Sequence, residues 1–251
     1  MDLKFYSVTS GNTHNSYGLS RYNDILQSFD FIDNHKCYGN TSADFSYFCY
    51  YCYSLTKLPD SLDTSSGTGF SYFCNYCQSL TKLPDSLDTS SGTDFYFFCA
   101  DCYSLTKLPD SLDTSKGTDF SYFCASGYSL TKLPDSLVTS SGTYFSDFCS
   151  YCYSLTKLPD SLDTSSGIDF FNFCESCYSL TKANIILPAD YDITTLKGSN
   201  KLTVASMRYI ADHAPTTSSH TLTIGSTNIA RANAYDPTII TTLTGKGWTV
   251  N

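Results

Sequence analysis

Basic residues are few and scattered in this 251-residue chain: 15 Lys and Arg stand against 24 Asp and Glu, a formal net charge of -9, with no basic run. A phosphate backbone is bound by clustered Lys and Arg, so nucleic acid is not an expected partner. Long apolar runs are missing too. No stretch approaches the roughly eighteen apolar residues of a membrane-crossing helix, and the opening MDLKFYSVTS lacks the charged-then-apolar pattern of a secretory leader. Histidine is rare, and His14, His35, His213 and His220 lie beside no recognisable nucleophile or ligand pattern. No G-x-S-x-G, H-E-x-x-H or G-x-x-x-x-G-K-[ST] occurs, and Gly245-Lys246-Gly247 lacks the rest of a phosphate loop. The chain is therefore not expected to be an enzyme, and no cofactor is expected. Catalysis around His213 and His220 is not expected, because neither has an identifiable nucleophile or metal-ligand partner set.

What is abundant is tyrosine, 21 residues against one Trp, and cysteine, 12 residues, within a chain that is 41% hydrophobic and so able to build a core. Their placement is periodic. Shifted by 25 residues the sequence superimposes on itself, with LTKLPDSL starting at Leu55, Leu80, Leu105, Leu130 and Leu155 and a truncated LTK at Leu180. One unit reads DFSYFCYYCYSLTKLPDSLDTSSGT from Asp44, and later units start at Gly69, Asp94, Asp119, Tyr144 and Asp169. Three parts follow: 1–43 as an N-terminal cap, 44–182 as six repeats, and 183–251 as a C-terminal cap of repeat-like character.

Within a unit Phe45, Phe48, Cys49 and Cys52 fall at i, i+3, i+4 and i+7, the spacing that gathers side chains on one face of a short helix. Ser46, Tyr47, Tyr50 and Tyr51 are then expected to face outward. Thr68 reads as the cap of the next such helix, with Asp94 or Asp119 as acids in the first turn of later copies. Leu55–Leu58 reads as a short strand stopped by Pro59, and 60–67 as a loop. A unit this small cannot bury its own apolar face, so copies must stack. The expected fold class is an α/β repeat solenoid, a leucine-rich-repeat-like stack of short parallel strands and short helices closed by caps. Six strands about 4.8 Å apart make a ladder roughly 29 Å long.

The N-terminal cap is read as a strand at Lys4–Val8 and a helix near Ser20–Ile32 with Tyr22, Ile25, Leu26 and Phe29 on one face. The C-terminal cap is read as helix from Thr203 to His213, strand from Thr221 to Gly225, helix after Asp236-Pro237 stopped by Gly245, and strand from Trp248 to Asn251.

The unit F-x-x-F-C-x-x-C-x-S-L-T-K-L-P followed by L-D-T-S-S-G-T resembles the BspA-like leucine-rich repeats of bacterial surface proteins and the related repeats of mycoplasma lipoproteins, across all six copies. Cys52, Leu55, Leu58 and Pro59 match that pattern, whereas Cys49 stands where the family has an apolar residue or Phe. The segment Leu222 to Asn228 and the closing Lys246-Gly247-Trp248-Thr249-Val250 are similar to tails of such proteins from gut bacteria and their phages. The resemblance implies a leucine-rich-repeat fold with adhesive or host-contact roles. It also implies a place on an extracellular surface or a virion, and the absence of a visible leader is compatible with a phage-encoded chain assembled in the cytosol.

Five C-x-x-C pairs (49/52, 74/77, 99/102, 149/152, 174/177) lie on the expected apolar face and the fourth copy has Gly127 in place of its second Cys. Buried free thiols are the expected state, with disulfides and metal as the alternatives. Lys57 and its copies should form a column beside Asp60 and its copies, a mutually compensating charge ladder. Three columns differ between otherwise near-identical copies: Tyr47, Tyr72, Phe97, Tyr122, Asp147, Asn172; then Tyr50, Asn75, Ala100, Ala125, Ser150, Glu175; then Tyr51, Tyr76, Asp101, Ser126, Tyr151, Ser176. Tyr supplies contact area at low entropy cost and small polar residues adapt, the vocabulary of binding surfaces. The candidate binding residues are Tyr47, Tyr50, Tyr51, Tyr72, Asn75, Tyr76, Asp101, Tyr122 and Tyr151. The expected function is non-enzymatic recognition of a protein or glycan on a cell surface. The alternative is self-association into a fibre, sheath or virion layer.

Overall fold

The computed structural model describes residues 2–5, 28–31, 43–60, 62–160, 162–188, 190–193 and 196–251, with side chains from Asp44 onward. Strand β1 (Asp2–Phe5) pairs in parallel with β2 (Ser28–Phe31). The strand expected at Lys4–Val8 thus begins earlier, and its last three residues lie outside the described residues. Phe29, assigned from its spacing to a helix, sits in β2, while Tyr22, Ile25 and Leu26 lie outside the described residues.

From Asp44 the chain winds in 25-residue coils, each joined to the next by backbone hydrogen bonds. The segment expected to be a short helix is a run of turns instead. Phe48 N–H bonds Phe45 O at 3.2 Å and Cys52 N–H bonds Cys49 O at 3.2 Å, each closing a four-residue turn whose third residue has positive φ, 60° at both Tyr47 and Tyr51. That is the dihedral signature of a type II turn. The remaining amides point along the stack: Phe45, Tyr47, Cys49 and Tyr51 donate to the carbonyls of Gly69, Ser71, Phe73 and Asn75 in the next coil at 2.8–3.0 Å. A helix would satisfy these groups within the coil; here alternate N–H groups tie neighbouring coils together, so the backbone remains paired. We call this segment the arc.

Four of the six arcs open on an Asp side chain rather than a Thr cap, the other two on Gly69 and Tyr144. Asp44, Asp94, Asp119 and Asp169 accept from the amides two residues on, at 2.8–3.1 Å. The segment expected as a strand contributes single parallel bridges, Lys82 to Lys107, Lys107 to Lys132 and Lys157 to Lys182, and a second line of bridges runs through Gly69, Asp94, Asp119, Tyr144 and Asp169. Strand β3 (Ala43–Asp44) pairs with β4 (Gly67–Gly69) at the head of that line. Along the third side a buried Thr replaces backbone pairing. The Thr114 hydroxyl donates to Val138 O at 2.6 Å and accepts from Val138 N–H at 3.2 Å, and Thr64 and Thr89 do the same one coil on.

Inside the coils like stacks on like. Phe45, Phe70, Phe95, Phe120, Phe145 and Phe170 form one column with ring centroids 5.4–5.7 Å apart. Phe48 and its copies form another at 5.2–5.4 Å. A glycine stands over each ring of the first column: a Cβ on Gly92 would lie 2.8 Å from Phe95 and 2.9 Å from Phe70. Two columns of buried cysteines and three of leucines complete the core.

After the last coil helices take over. Thr203 caps α1 (Val204–His213), accepting from Ser206 N–H, and α3 (Thr238–Gly245) follows Asp236-Pro237, both as expected from sequence. Strands β5 (His220–Leu222) and β6 (Trp248–Val250) pair in parallel. Helix α2 (Ser226–Tyr235) was not expected: it starts at Gly225 with φ 82° and no side-chain cap, and buries only Asn228 and Ala232. Hydroxyls splice this part onto the stack. Ser199 accepts from Cys177 N–H and donates to Cys174 O, and Ser206 accepts from Ala183 N–H.

Thr114→Val keeps the shape but leaves one amide and one carbonyl of Val138 unpaired between coils. It is expected to cost about 3 kcal/mol, seen as a lower urea midpoint; a midpoint unchanged from wild type would show that the threonine column does not hold the coils together.

Candidate recognition face

The arc places its outward residues on the two columns of positive φ. Of the thirteen non-glycine residues in this conformation among the described residues, twelve belong to the arcs, from Tyr47 and Tyr51 in the first coil to Asn172 and Ser176 in the last. Side chains there cost about 1 kcal/mol or more relative to glycine. None of the twelve is glycine. The tyrosines are held by one another. Tyr47, Tyr72, Phe97 and Tyr122 stack with centroids 4.6, 5.0 and 4.2 Å apart and planes within 10°. Tyr51 stacks on Tyr76 at 4.4 Å, and Tyr50 meets Tyr47, Tyr51 and Tyr72 edge-on. Ring faces are thereby consumed within the columns, and what the surface offers is ring edges and hydroxyls.

The structure thus brings six of the nine candidate residues, Tyr47, Tyr50, Tyr51, Tyr72, Tyr76 and Tyr122, into one half-buried aromatic cluster. Asp101 continues the Tyr51–Tyr76 column, and its charge is the chief reason the Tyr76 hydroxyl titrates above its usual value. Tyr151 lies apart, 39% exposed and edge-on to Tyr153. Asn75 is a correction: it is fully buried, donating to Ala100 O at 3.0 Å. Its column was expected to face outward, but Ala100, Ala125 and Ser150 are buried as well, while Tyr50 and Glu175 at its two ends are half-buried. Asp147 and Ser176 are also buried. Burial raises the Asp147 carboxyl, and Tyr122, Ser150 and Asn172 hydrogen-bond to it.

A neighbouring column adds stacked Tyr103, Tyr128, Tyr153 and Tyr178, at 4.6, 4.8 and 5.1 Å. Burial, with Asp101 nearby, pushes the Tyr103 hydroxyl up to about 12. Sequence reasoning missed Tyr96 and Phe171, which stand where Ser46, Ser71, Ser121 and Ser146 stand in the other coils. Departure from the repeat in that column is the signal that finds them. Tyr96 joins the cluster, edge-on to Tyr72 and Phe97, and Phe171 is 60% exposed.

All eleven described cysteines are buried and unbridged, and burial drives the Cys49, Cys99, Cys149 and Cys152 thiols well above their usual range. The second thiol of a coil donates to a carbonyl of the coil before it, Cys77 to Cys49 O at 2.9 Å and Cys102 to Cys74 O at 3.0 Å. Among the described residues no group of three or more His, Cys, Asp or Glu is arranged to hold a metal ion. Three lysines of the column pair with the Asp of the preceding coil, Lys132 with Asp110 at 3.8 Å, Lys157 with Asp135 at 3.0 Å and Lys182 with Asp160 at 2.6 Å, exposed contacts of small energy.

Two outcomes follow from this geometry. Tyr151→Gly relieves positive φ at an exposed site and is expected to leave stability equal or up to about 1 kcal/mol higher. Tyr72→Gly also relieves it but loses two stacked neighbours, for a net loss of about 1 kcal/mol; urea midpoints moving together would show that stacking does not offset the strain. The second concerns pH. Burial raises the carboxyls of Asp101, Asp119 and Asp147 above the ordinary 3.8. An acid with a raised folded pKa binds its proton more tightly folded than unfolded, so stability grows as pH falls through that raised value and is lost as pH climbs past it. Asp113, held down by the Ser115 amide, Asp160, by Lys182, and Asp236, by Arg208, act oppositely and lose their contribution as pH drops below 3.8. Thermal midpoints are therefore expected to peak on the acid side of neutrality and Asp147→Asn to flatten that rise. A steady fall in stability from neutrality downward would contradict it.

Comparison of the chain with protein-family profiles, with curated proteins and with solved structures finds no match.

Proposed function

We propose that the chain is a non-enzymatic recognition protein: a repeat solenoid of the BspA-like leucine-rich kind that presents its arc face to a protein or glycan on a cell surface. The observation that carries this reading is the retention of side chains at all twelve positive-φ positions of the arc. Glycine would relax each turn, yet Tyr, Phe, Asp, Asn and Ser stand there, and they change from coil to coil while the core columns hardly change. A rigid frame with variable Tyr and small polar residues is how rigid binders combine contact area with adaptability. The repeat itself supports the family reading, with Leu55, Leu58 and Pro59 at the places the resemblance requires. No described helix is long and apolar enough to cross a membrane. An extracellular surface or a virion is the setting we propose.

Light scattering of the full-length chain with reductant present, together with retention of labelled chain on intact bacterial cells and on immobilised mucin, tests the reading. A particle mass independent of concentration and saturable retention, weakened about tenfold by Tyr47→Ser combined with Tyr72→Ser, is the expected result. Mass that grows without limit as concentration rises would replace recognition with self-assembly into a fibre or sheath.

A further inference from the structure

At the C-terminal end of the arc face the last coil and the segment after it enclose an open hollow lined by Phe171, Asn172, Glu175, Lys197 and Thr223. Its floor is fixed by backbone bonds: Asp147 N–H to Phe171 O at 2.7 Å, Ser176 N–H to Lys197 O at 2.8 Å and Leu196 N–H to Thr223 O at 3.1 Å. Phe171 is 60% exposed, and among the described residues no other ring packs on it. In the same set neither the Glu175 carboxylate nor the Lys197 ammonium forms an ion pair or a side-chain hydrogen bond.

We propose that this hollow is a saccharide subsite. A sugar ring has one face of C–H groups and a rim of hydroxyls. Phe171 supplies the apolar plate for the first. Glu175 accepts from adjacent hydroxyls, while Lys197, Asn172 and Thr223 donate to ring or hydroxyl oxygens. An apolar peptide side chain fits less well, because it would desolvate the carboxylate and the ammonium without pairing either. The other coils show that the aromatic ring is not required by the fold: Ser71 and Ser146 occupy the same column and hydrogen-bond Asp94 and Asp169 of the following coil. The last coil has no following coil of this kind, and its place in the column is taken by an exposed phenyl group rather than another polar residue.

This inference rests on the recognition reading and names the chemistry of its partner. Its test is saturation-transfer NMR on the full-length chain with a panel of methyl glycosides of neutral hexoses and N-acetylhexosamines and their short linear oligomers. Transfer to the ring C–H protons of at least one of them is expected. Phe171→Ser, which restores the residue of most other coils, is expected to weaken binding at least about tenfold, and Glu175→Gln to weaken it severalfold. No transfer from any saccharide, or affinity unaltered by Phe171→Ser, overturns the subsite. If cell or mucin retention still depends on Tyr47 and Tyr72 in that case, recognition stands and only the sugar site falls; if retention is absent as well, both fall.

Discussion

The structure depends on one constraint: each residue of a coil lies directly over its own copy. Amides of the arc reach carbonyls one coil on, and parallel neighbours joined this way sit about 4.8 Å apart. Any side chain in the repeat must therefore tolerate contact with itself. Phe does so by stacking at 5.2–5.7 Å, each pair contributing about 0.5–1.5 kcal/mol beyond burial. Thr does so because a hydroxyl both donates and accepts, which lets one column of Thr64 and its copies stand in for a strand. Lys does so by leaning back onto the Asp of the preceding coil rather than facing only like charge. Glycine is required where the Phe ring fills the space a Cβ would take.

The same constraint explains which features were legible in the sequence. The 25-residue period, the identity of the core and the pairing of Lys with Asp columns are consequences of copying, and self-comparison reveals them. The arc was misread as a helix for a definite reason. Phe45, Phe48, Cys49 and Cys52 satisfy a helical spacing, but a chain of four-residue turns repeats Phe45 at Cys49 and Phe48 at Cys52 and puts the same four residues inside. Hydrophobic pattern alone does not separate the two. The decisive difference lies in alternate amides leaving the coil, which no single repeat can display. Asn75 was placed outside by the helix reading and lies inside because turn geometry, not helix geometry, governs its column. Helix α2 escaped notice because it begins on Gly225 and buries little beyond Asn228 and Ala232. Helix α1, with its Thr203 cap and its buried Met207, Ile210 and Ala211, carries the ordinary signals and was found.

Cysteine illustrates how the stack alters the meaning of a motif. Paired cysteines two residues apart suggest metal or redox chemistry in a loop. Here each pair spans one turn, and the thiols project into a packed interior where burial raises Cys49, Cys99 and Cys149 well above the usual thiol range. A thiol is small, apolar and still able to donate weakly, so the second of each pair can serve a carbonyl of the previous coil without opening a polar gap. Gly127 interrupts that column, and the coil nevertheless retains its turn, with Gly127 N–H bonded to Cys124 O at 3.1 Å. The backbone pattern is thus set by the turns, and the thiols fill what the turns enclose.

How freely a position varies then follows from what its neighbours in the column require of it. Core Phe and Leu meet copies above and below and scarcely change. Arc residues at positive φ meet copies too, but one ring stacked on another suffices, and where stacking gives way to Asp101 or Asp147 the carboxyl is held by hydroxyl and amide partners instead. Phe171, Asn172 and Glu175 belong to the last coil, whose outer side faces the helical segment rather than another arc. No ring or acid of a succeeding arc constrains them, and there the chain combines an exposed aromatic with a carboxylate and, across the hollow, an ammonium. Stacking enforces sameness along the coils, and its end is where a chemically distinct surface can be built at little cost to the fold.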